Sequence, residues 1–593
     1  MDVKVPVTAE VYQLDLARRD PTIKLWIYRI ALVCLCLRLV WHETAVLQTA
    51  IHHWQDRTSV EPQKAKPGVC RAPLPPLLKD HPPKSDAPEL SLASALVDAS
   101  LRDALSELAI DSLVVAVVTA EGSVFEGTYG VLRGNESDAE RRGHVDRDSI
   151  YRMASISKMF TTIETFILRD KGLLNLDDPV DTFLPNFTYR HTDATHEGPV
   201  TIRTLLTHAA GIGGNLPPGN MSDWPHSLDG ANTPPYNGRP FPTPERVLEA
   251  QAELSLSTPP HGLPLYSNAG FSILGMVNLA AARRSDEYRD RVSTIEELIE
   301  RDVFEPLGMN SSGYLAADLG AERVAVSSYA SEDADYDFQT AMNPTGGQFS
   351  TLADLIAPMR MFLNPEKNPS VLSPYTIREW MKPQFSWFDD TTELGMLWEI
   401  NKYQNSFKDV QRLYQKSGQL MAYHAEFTVN PASGYGVIVL MAGQYLNAQS
   451  ITFHILDAFQ PAFDVLIDQA TRELYTGSWT DGEANHVEVS SRDGSLWVDR
   501  MVLSGEDVLK LVQGTDEAEP VGLWSTGRSD QFRLAFGESW RNDERGYHCL
   551  AYFFGMELGY ARGAAINEIS FAGEGGARTL YVPSVDVKLR RAA

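Results

Sequence analysis

Ser112 to Thr119 is a β-branched apolar run that reverses at Glu121-Gly122 into a second run, Ser123 to Tyr129. A valine-rich stretch with glycine at its reversal predicts two antiparallel strands. Ahead of it, Leu92 to Leu108 reads as an amphipathic helix, with Leu92, Leu96, Leu101, Leu105 and Leu108 available to one broad face. Behind it, Tyr151 to Gly172 carries Met159, Phe160, Ile163, Phe166 and Ile167 at helical spacing, with Gly172 after Lys171 as a C-cap. A second hairpin is expected far downstream. Ala425 to Val429 and Tyr435 to Met441 flank the turn Asn430 to Gly434. Helix, hairpin and helix in succession predict an α+β domain built on an antiparallel sheet.

The helix after the first hairpin opens with Ser155-Ile156-Ser157-Lys158. Positions i and i+3 lie on one helical face, so Ser155 and Lys158 point the same way. A serine hydroxyl is a poor nucleophile until a neighbouring base takes its proton, and a desolvated lysine can do so. The free N–H groups of a helix start can also stabilise an oxyanion. Taken alone, S-x-x-K is equally an amphipathic helix with a surface lysine.

Two further stretches carry the same chemistry. Tyr266 and Asn268 stand two apart before the apolar run Phe271 to Ala281, so in an extended loop their side chains share one side. A tyrosinate beside a lysine is a workable base, and an asparagine amide can hold the lysine or a carbonyl. Tyr403-Gln404-Asn405 repeats the pattern, so Y-x-N singly says little. Lys416-Ser417-Gly418-Gln419 leads into the downstream hairpin. Its lysine and hydroxyl suit a carboxylate or other polar group, and its glycine lets a ligand backbone come close. His208, ending the short helix of Thr201 to Ile212, reads as structural, capping carbonyls or favouring the dipole. Asn215 to Pro244 is dense in Pro, Gly and Asn and reads as a lid or substrate loop, or as plain surface.

The N-terminal region differs from the rest. Leu25 to Trp41 is an apolar stretch of roughly 17 positions behind Arg18, Arg19 and Lys24, as a signal peptide or signal anchor requires. Arg29 and Arg38 interrupt it and fit an interfacial amphipathic helix equally. Membrane association through residues 25–41 and a body in the secretory pathway, secreted or anchored, are expected. Within that body Cys70 and Cys549 are the remaining thiols, either one disulfide or two unrelated cysteines. Sequons at Asn135, Asn186, Asn220 and Asn310 permit glycosylation. A formal charge of −26 argues against nucleic acid as a partner. No spacing of Cys or His has the form of a metal site, so neither metal nor cofactor is expected.

S-x-x-K, Y-x-N and K-S-G occur in that order, roughly 110 and 150 residues apart. This resembles the serine beta-lactamase and penicillin-binding-protein superfamily, and the tyrosine in the middle motif resembles its class C branch. Leu205 to Ile212, Pro306-Leu307-Gly308-Met309 and Thr345 to Leu355 are similar to further family segments, so the likeness covers about residues 95 to 445. The whole layout most resembles fungal beta-lactamase-like proteins. It implies a leader over 1–69, a proline-rich extended lead-in over 70–91, a catalytic domain over 92–465 and a smaller all-β domain over 471–593.

The resemblance also implies roles. Ser155 attacks an acyl carbon, Lys158 and Tyr266 handle its proton, the backbone N–H groups of Ser155 and Gln419 form the oxyanion hole, and Asn268, Lys416, Ser417 and Gly418 position the substrate. Many esterases of this kind have His or Trp in place of Lys416, so this chain keeps the lactamase-like version. The expected activity is hydrolysis of a small-molecule ester or amide. The alternatives are an acyltransferase of secondary metabolism and a non-catalytic penicillin-binding relative.

Overall fold

The structure, a computed structural model, describes residues 71–190, 198–535 and 557–592. The first hairpin forms as β1 (Ile110–Thr119) and β2 (Gly122–Gly130). Next come β3 (Ile150–Arg152) and β4 (Phe349–Thr351), which pair with each other. Then follow β5 (Pro383–Ser386), β6 (Thr392–Gly395), β7 (Glu399–Gln404), β8 (Val410–Gln419), β9 (Tyr423–Asn430) and β10 (Tyr435–Gly443). The main sheet runs β2-β1-β10-β9-β8-β7-β6-β5, with Val115 opposite Val439 and Ile438 opposite Phe427. The two ends of the fold thus meet at its centre.

Helices Pro88–Glu107 and Ala448–Tyr475 pack on each other and on one face of this sheet, while Leu352–Leu363 covers the other face. Covered on both faces, β9 and β10 are buried along their whole length, which explains continuous apolar runs in place of alternation. The first helix starts at Pro88 and buries Leu90, Ala93, Val97, Leu101, Ala104 and Leu108. Leu92 and Leu96, expected on the inner face, are 65% and 58% exposed. The i, i+3, i+4 stripe counted from Leu90 covers the sheet better, and it rotates both leucines outward.

The lead-in is not the extended, unfolded segment expected. Leu77–Asp80 is a short helix with Leu77 and Leu78 buried. The Arg71 guanidinium donates to the carbonyls of Phe407 and Asp493, each at 2.7 Å, and Asn364 Nδ2 donates to the Lys79 carbonyl at 2.8 Å. Prolines supply the extended geometry, but two leucines and the charged ends give the segment surfaces to bury.

Helices Ser157–Asp170 and Asn268–Ala282 form the heart of a helical body against the sheet. A buried polar seam joins them, in which Thr165 Oγ1 donates to Asn278 Oδ1 at 3.1 Å and Asn278 Nδ2 donates to the Thr161 carbonyl at 3.1 Å. Thr161 Oγ1 reaches the Pro344 carbonyl at 2.8 Å, and a methyl at Gly275 would strike the same proline ring. The turn Asn343–Gly347 is therefore locked to both helices.

The long helix Ala448–Tyr475 runs on into the second sheet, so residues 466–470, expected as a join, lie inside it. That sheet comprises β11 (Gly477–Thr480), β12 (His486–Arg492), β13 (Ser495–Leu503), β14 (Glu506–Asp507), β15 (Val521–Ser525) and β16 (Gln531–Leu534). After the small ladder of β17 (Tyr560–Ala561) with β18 (Ala564–Ala565), it adds β19 (Glu568–Ala572), β20 (Thr579–Val582) and β21 (Val587–Arg591). The order β12-β11-β21-β20-β19-β16-β15-β13 closes through β12–β13 into a barrel, with β14 outside the ring. Leu474 and Tyr475, inside the span 471–593 expected to be all-β, are the end of the helix, and Tyr475 plugs the barrel against Phe532 and Phe571. The class is α+β with a C-terminal β-barrel. Residues 25–41, Cys70 and Cys549 lie outside the described residues.

Trp380 is fully buried among Phe166, Phe362 and Trp398, and its Nε1 donates to the Met396 carbonyl at 2.7 Å. Trp380→Ala is expected to lower unfolding free energy in urea by about 3–5 kcal/mol through the cavity it leaves. A loss below about 1 kcal/mol would contradict this packing.

Candidate active site

The chain reaches Ser155 through a strained turn. Met153 N–H donates to the Gln348 carbonyl at 2.9 Å, and Ala154 then takes φ 45°, a region that costs a side-chain-bearing residue energy. Ser157 pins the turn. Its hydroxyl donates to the Ala154 carbonyl at 2.6 Å and accepts from Gln348 N–H at 3.1 Å. Ser155 sits in the 3-10 turn Ala154–Ile156, just before the α-helix rather than on its first turn. Gly418 of β8 closes the turn from the side, because a methyl there would overlap the Met153 carbonyl oxygen. The glycine expected to admit a ligand backbone therefore admits the protein's own.

Lys158 is fully buried, and its Nζ donates to Ser155 Oγ at 2.9 Å, Asn268 Oδ1 at 2.7 Å and the Thr345 carbonyl at 2.7 Å. An ammonium has three N–H donors, and all are used. Burial lowers its pKa to about 8, with Tyr266 opposing and Lys416 reinforcing the shift.

Asn268 is the first residue of its helix, not part of an extended loop, and Ser267 caps it by accepting from Gly270 N–H at 2.8 Å. Asn268 Nδ2 donates to Asn215 Oδ1 at 3.0 Å, which turns its carbonyl oxygen to Lys158. The Tyr266 ring lies 5.0 Å from Lys158 Nζ and 5.1 Å from Lys416 Nζ. One side of that ring is open to the cleft, leaving Tyr266 46% exposed. Crowding of the phenol raises its pKa, but the two ammoniums lower it more and leave it below its ordinary value.

His208 neither caps a carbonyl nor serves the helix dipole. Its Nδ1 accepts from Ser267 N–H at 3.1 Å, and its ring lies on Tyr266 and Phe271 at 4.6 and 5.1 Å. Burial, then Lys158 and Lys416, push its pKa far down, so it is neutral and shapes the Tyr266 loop. Its residue type promised chemistry, whereas its contacts give support.

Lys416, Ser417 and Gly418 lie within β8, not in a loop ahead of the hairpin. Lys416 Nζ pairs with Glu399 Oε1 at 2.5 Å, while Ser417 N–H and hydroxyl donate to Glu399 Oε2 at 3.1 and 2.9 Å. Burial opposes the Lys416 charge, yet Glu399 and Tyr266 outweigh it and raise the pKa. Glu426, cross-strand from Ser417, is buried, and desolvation holds its carboxyl far above the usual carboxylate range. Gln419 ends β8 at the cleft surface.

The cleft thus holds a hydroxyl, two amines and a phenol, groups able to exchange protons with one another. A sequence model described as Beta-lactamase matches residues 97–458, more than half of the chain. The chain belongs to the beta-lactamase family. Beta-lactamase-like protein str6 of Strobilurus tenacellus is 36% identical over 309 residues, covering 50% of this chain and 98% of that protein. Beta-lactamase-like protein str5 of the same organism is 44% identical over 229 residues, covering 37% and 82%. Probable hydrolase M10 of a Phoma species is 23% identical, covering 64% of each. Among solved structures, the octameric penicillin-binding protein homologue of Pyrococcus abyssi aligns with TM-score 0.48 and 19% identity, covering 84% of this chain and 99% of that one.

This family member thus gathers Ser155, Lys158, Tyr266, Asn268 and Lys416 in one cleft. Sequence reasoning gave Asn215, Thr345 and Glu399 no role of their own, although Asn215 opens the proline-rich loop and Thr345 opens a family-like segment. Thr345 contributes only a carbonyl, which no side-chain pattern announces. Asn215 and Glu399 lie in stretches with no motif of their own, and only the packing aims them at Asn268 and Lys416. Gly418→Ala is expected to cost about 1–3 kcal/mol in urea unfolding by forcing β8 from the Ser155 turn. Wild-type stability in that variant would contradict so close an approach.

Proposed function

We propose that this chain is a serine hydrolase cleaving an ester or amide of a small molecule through an acyl-enzyme on Ser155. The observation carrying this reading is the partner set of Lys158. A neutral lysine has two N–H donors and one lone pair. Asn268 Oδ1 and the Thr345 carbonyl only accept, so they take both donors. The lone pair then turns to Ser155, the one partner with a proton to give. With a pKa near 8, about a tenth of Lys158 is neutral at pH 7.

In the first step Ser155 Oγ bonds to the acyl carbon as its proton passes to Lys158, and the carbonyl π electrons move to oxygen. Backbone N–H groups of Ser155 and Gln419 would hold that oxyanion. The tetrahedral species collapses by breaking the bond to the leaving group, which takes a proton from the Tyr266–Lys158 pair. Water repeats the sequence and frees Ser155. The acidic phenol of Tyr266, beside two ammoniums, supports its part in the proton transfer. Relatives named beta-lactamase-like and probable hydrolase support the hydrolase class.

Native protein treated with a fluorophosphonate should carry the adduct on Ser155, and Ser155→Ala should lower turnover of an activated ester by about three or more orders of magnitude. A slight loss would remove Ser155 from this role. With an alcohol present, ester product exceeding acid would identify a transferase instead. Lys158 is protonated below its lowered pKa and neutral above it, so kcat/KM should climb with pH, reach half its maximum near 8 and level off about a unit above that. Because Lys158 and Tyr266 interact, that limb belongs to the pair. A profile flat from pH 6 to about 9 would exclude lysine as the base.

A further inference from the structure

The donors that would receive a substrate carboxylate are already occupied. Lys416 Nζ, Ser417 N–H and Ser417 Oγ converge on the single carboxylate of Glu399, at 2.5, 3.1 and 2.9 Å. The Lys416 side chain is 1% exposed and Glu399 30%, so a ligand in the cleft meets the acid rather than the amine. We propose that Glu399 acts as an internal carboxylate that reserves the Lys416–Ser417 donors and restricts the substrate to uncharged esters. This rests on the serine-hydrolase reading above and narrows its substrate class.

The surrounding charges agree. The groups facing Glu399 are Lys416, Lys158, Tyr266 and Glu426. Glu426 is buried behind Ser417 with its carboxyl pushed far above the usual carboxylate range, and burial pushes the His208 imidazole on the far side of Tyr266 far down. Lys158 spends its donors on Ser155, Asn268 and Thr345. Among the described residues of this cleft, each ammonium therefore has its own acceptors, and an incoming carboxylate would face Glu399 at close range without a spare cation.

The test uses two matched pairs. Methyl 4-acetoxybenzoate and 4-acetoxybenzoate place the charge on the leaving side. The 4-nitrophenyl ester of monomethyl suberate and that of suberic acid place it on the acyl side. Wild-type protein should hydrolyse the uncharged member of each pair faster, by about tenfold or more in kcat/KM, and Glu399→Gln should narrow that ratio by about tenfold. The same ratio, read as Kd by calorimetry on Ser155→Ala with and without Glu399→Gln, does not depend on turnover. Equal or faster hydrolysis of the anionic member by wild type overturns the proposal, as does a Glu399→Gln change that shifts both members alike. Absence of a Ser155 adduct would instead overturn the hydrolase reading, while the Kd ratio still decides the charge preference.

Discussion

A buried ammonium must be fully hydrogen-bonded or it will not remain an ammonium. Lys158 meets that condition with Ser155 on the 3-10 turn just ahead of its helix, Asn268 at the start of a second helix and Thr345 on a turn far downstream. Neither Asn268 nor Thr345 reaches Nζ unless the helical body is assembled. The polar seam of Thr161, Thr165, Asn278 and Pro344 makes that assembly specific, since the buried Asn278 amide finds its partners on the facing helix. The site is thus a property of the packing, and the packing is registered by the same helix that carries the lysine.

Two lysines share the cleft and behave in opposite ways. Lys158 has only uncharged acceptors, so burial wins and its pKa falls to about 8. Lys416 is equally buried but has a carboxylate at 2.5 Å, so it holds its proton. The difference lies in the partner rather than in depth. One amine is left able to exchange a proton near neutral pH, and the other becomes a fixed charge that helps acidify Tyr266. Exchanging the two environments would leave a permanent cation beside Ser155 and a titrating amine on the substrate side.

Much of this was legible before coordinates. The hairpin of β1 and β2, the downstream hairpin, and the residues Ser155, Lys158, Tyr266, Asn268 and Lys416 could be picked out because period, turn residues and ordered motifs are local signals. The inner face of Pro88–Glu107 could not, since leucines lie all round that helix and only the sheet beneath decides that Leu90 and Val97 go in while Leu92 and Leu96 stay out. The lead-in was misjudged for a similar reason. Proline content speaks of backbone shape, whereas the burial of Leu77 and Leu78 depends on surfaces contributed by residues hundreds of positions away. Glu399 was invisible because an acid on an ordinary strand carries no signature, and its importance arises only from cross-strand register with Gln415, next to Lys416.

The parts of the cleft differ in how firmly they are held. Ala154 keeps its strained φ only because Ser157, Gln348 and the bare backbone of Gly418 fix the turn from three directions. In the proposed acyl-enzyme reading, that rigidity would aim the Ser155 oxygen. The wall opposite is different. Residues 213–243 contain no helix or strand and touch the chemistry at one side chain, Asn215, whose hydrogen bond orients Asn268. Leu216 and Phe241 of that loop are buried, with Phe241 stacked on Phe338 at 4.3 Å, so the loop is tied to the helical body at these side chains as well as at Asn215. The turn and the loop are thus separate segments, one fixed by backbone contacts from three directions and the other held by a few anchoring side chains.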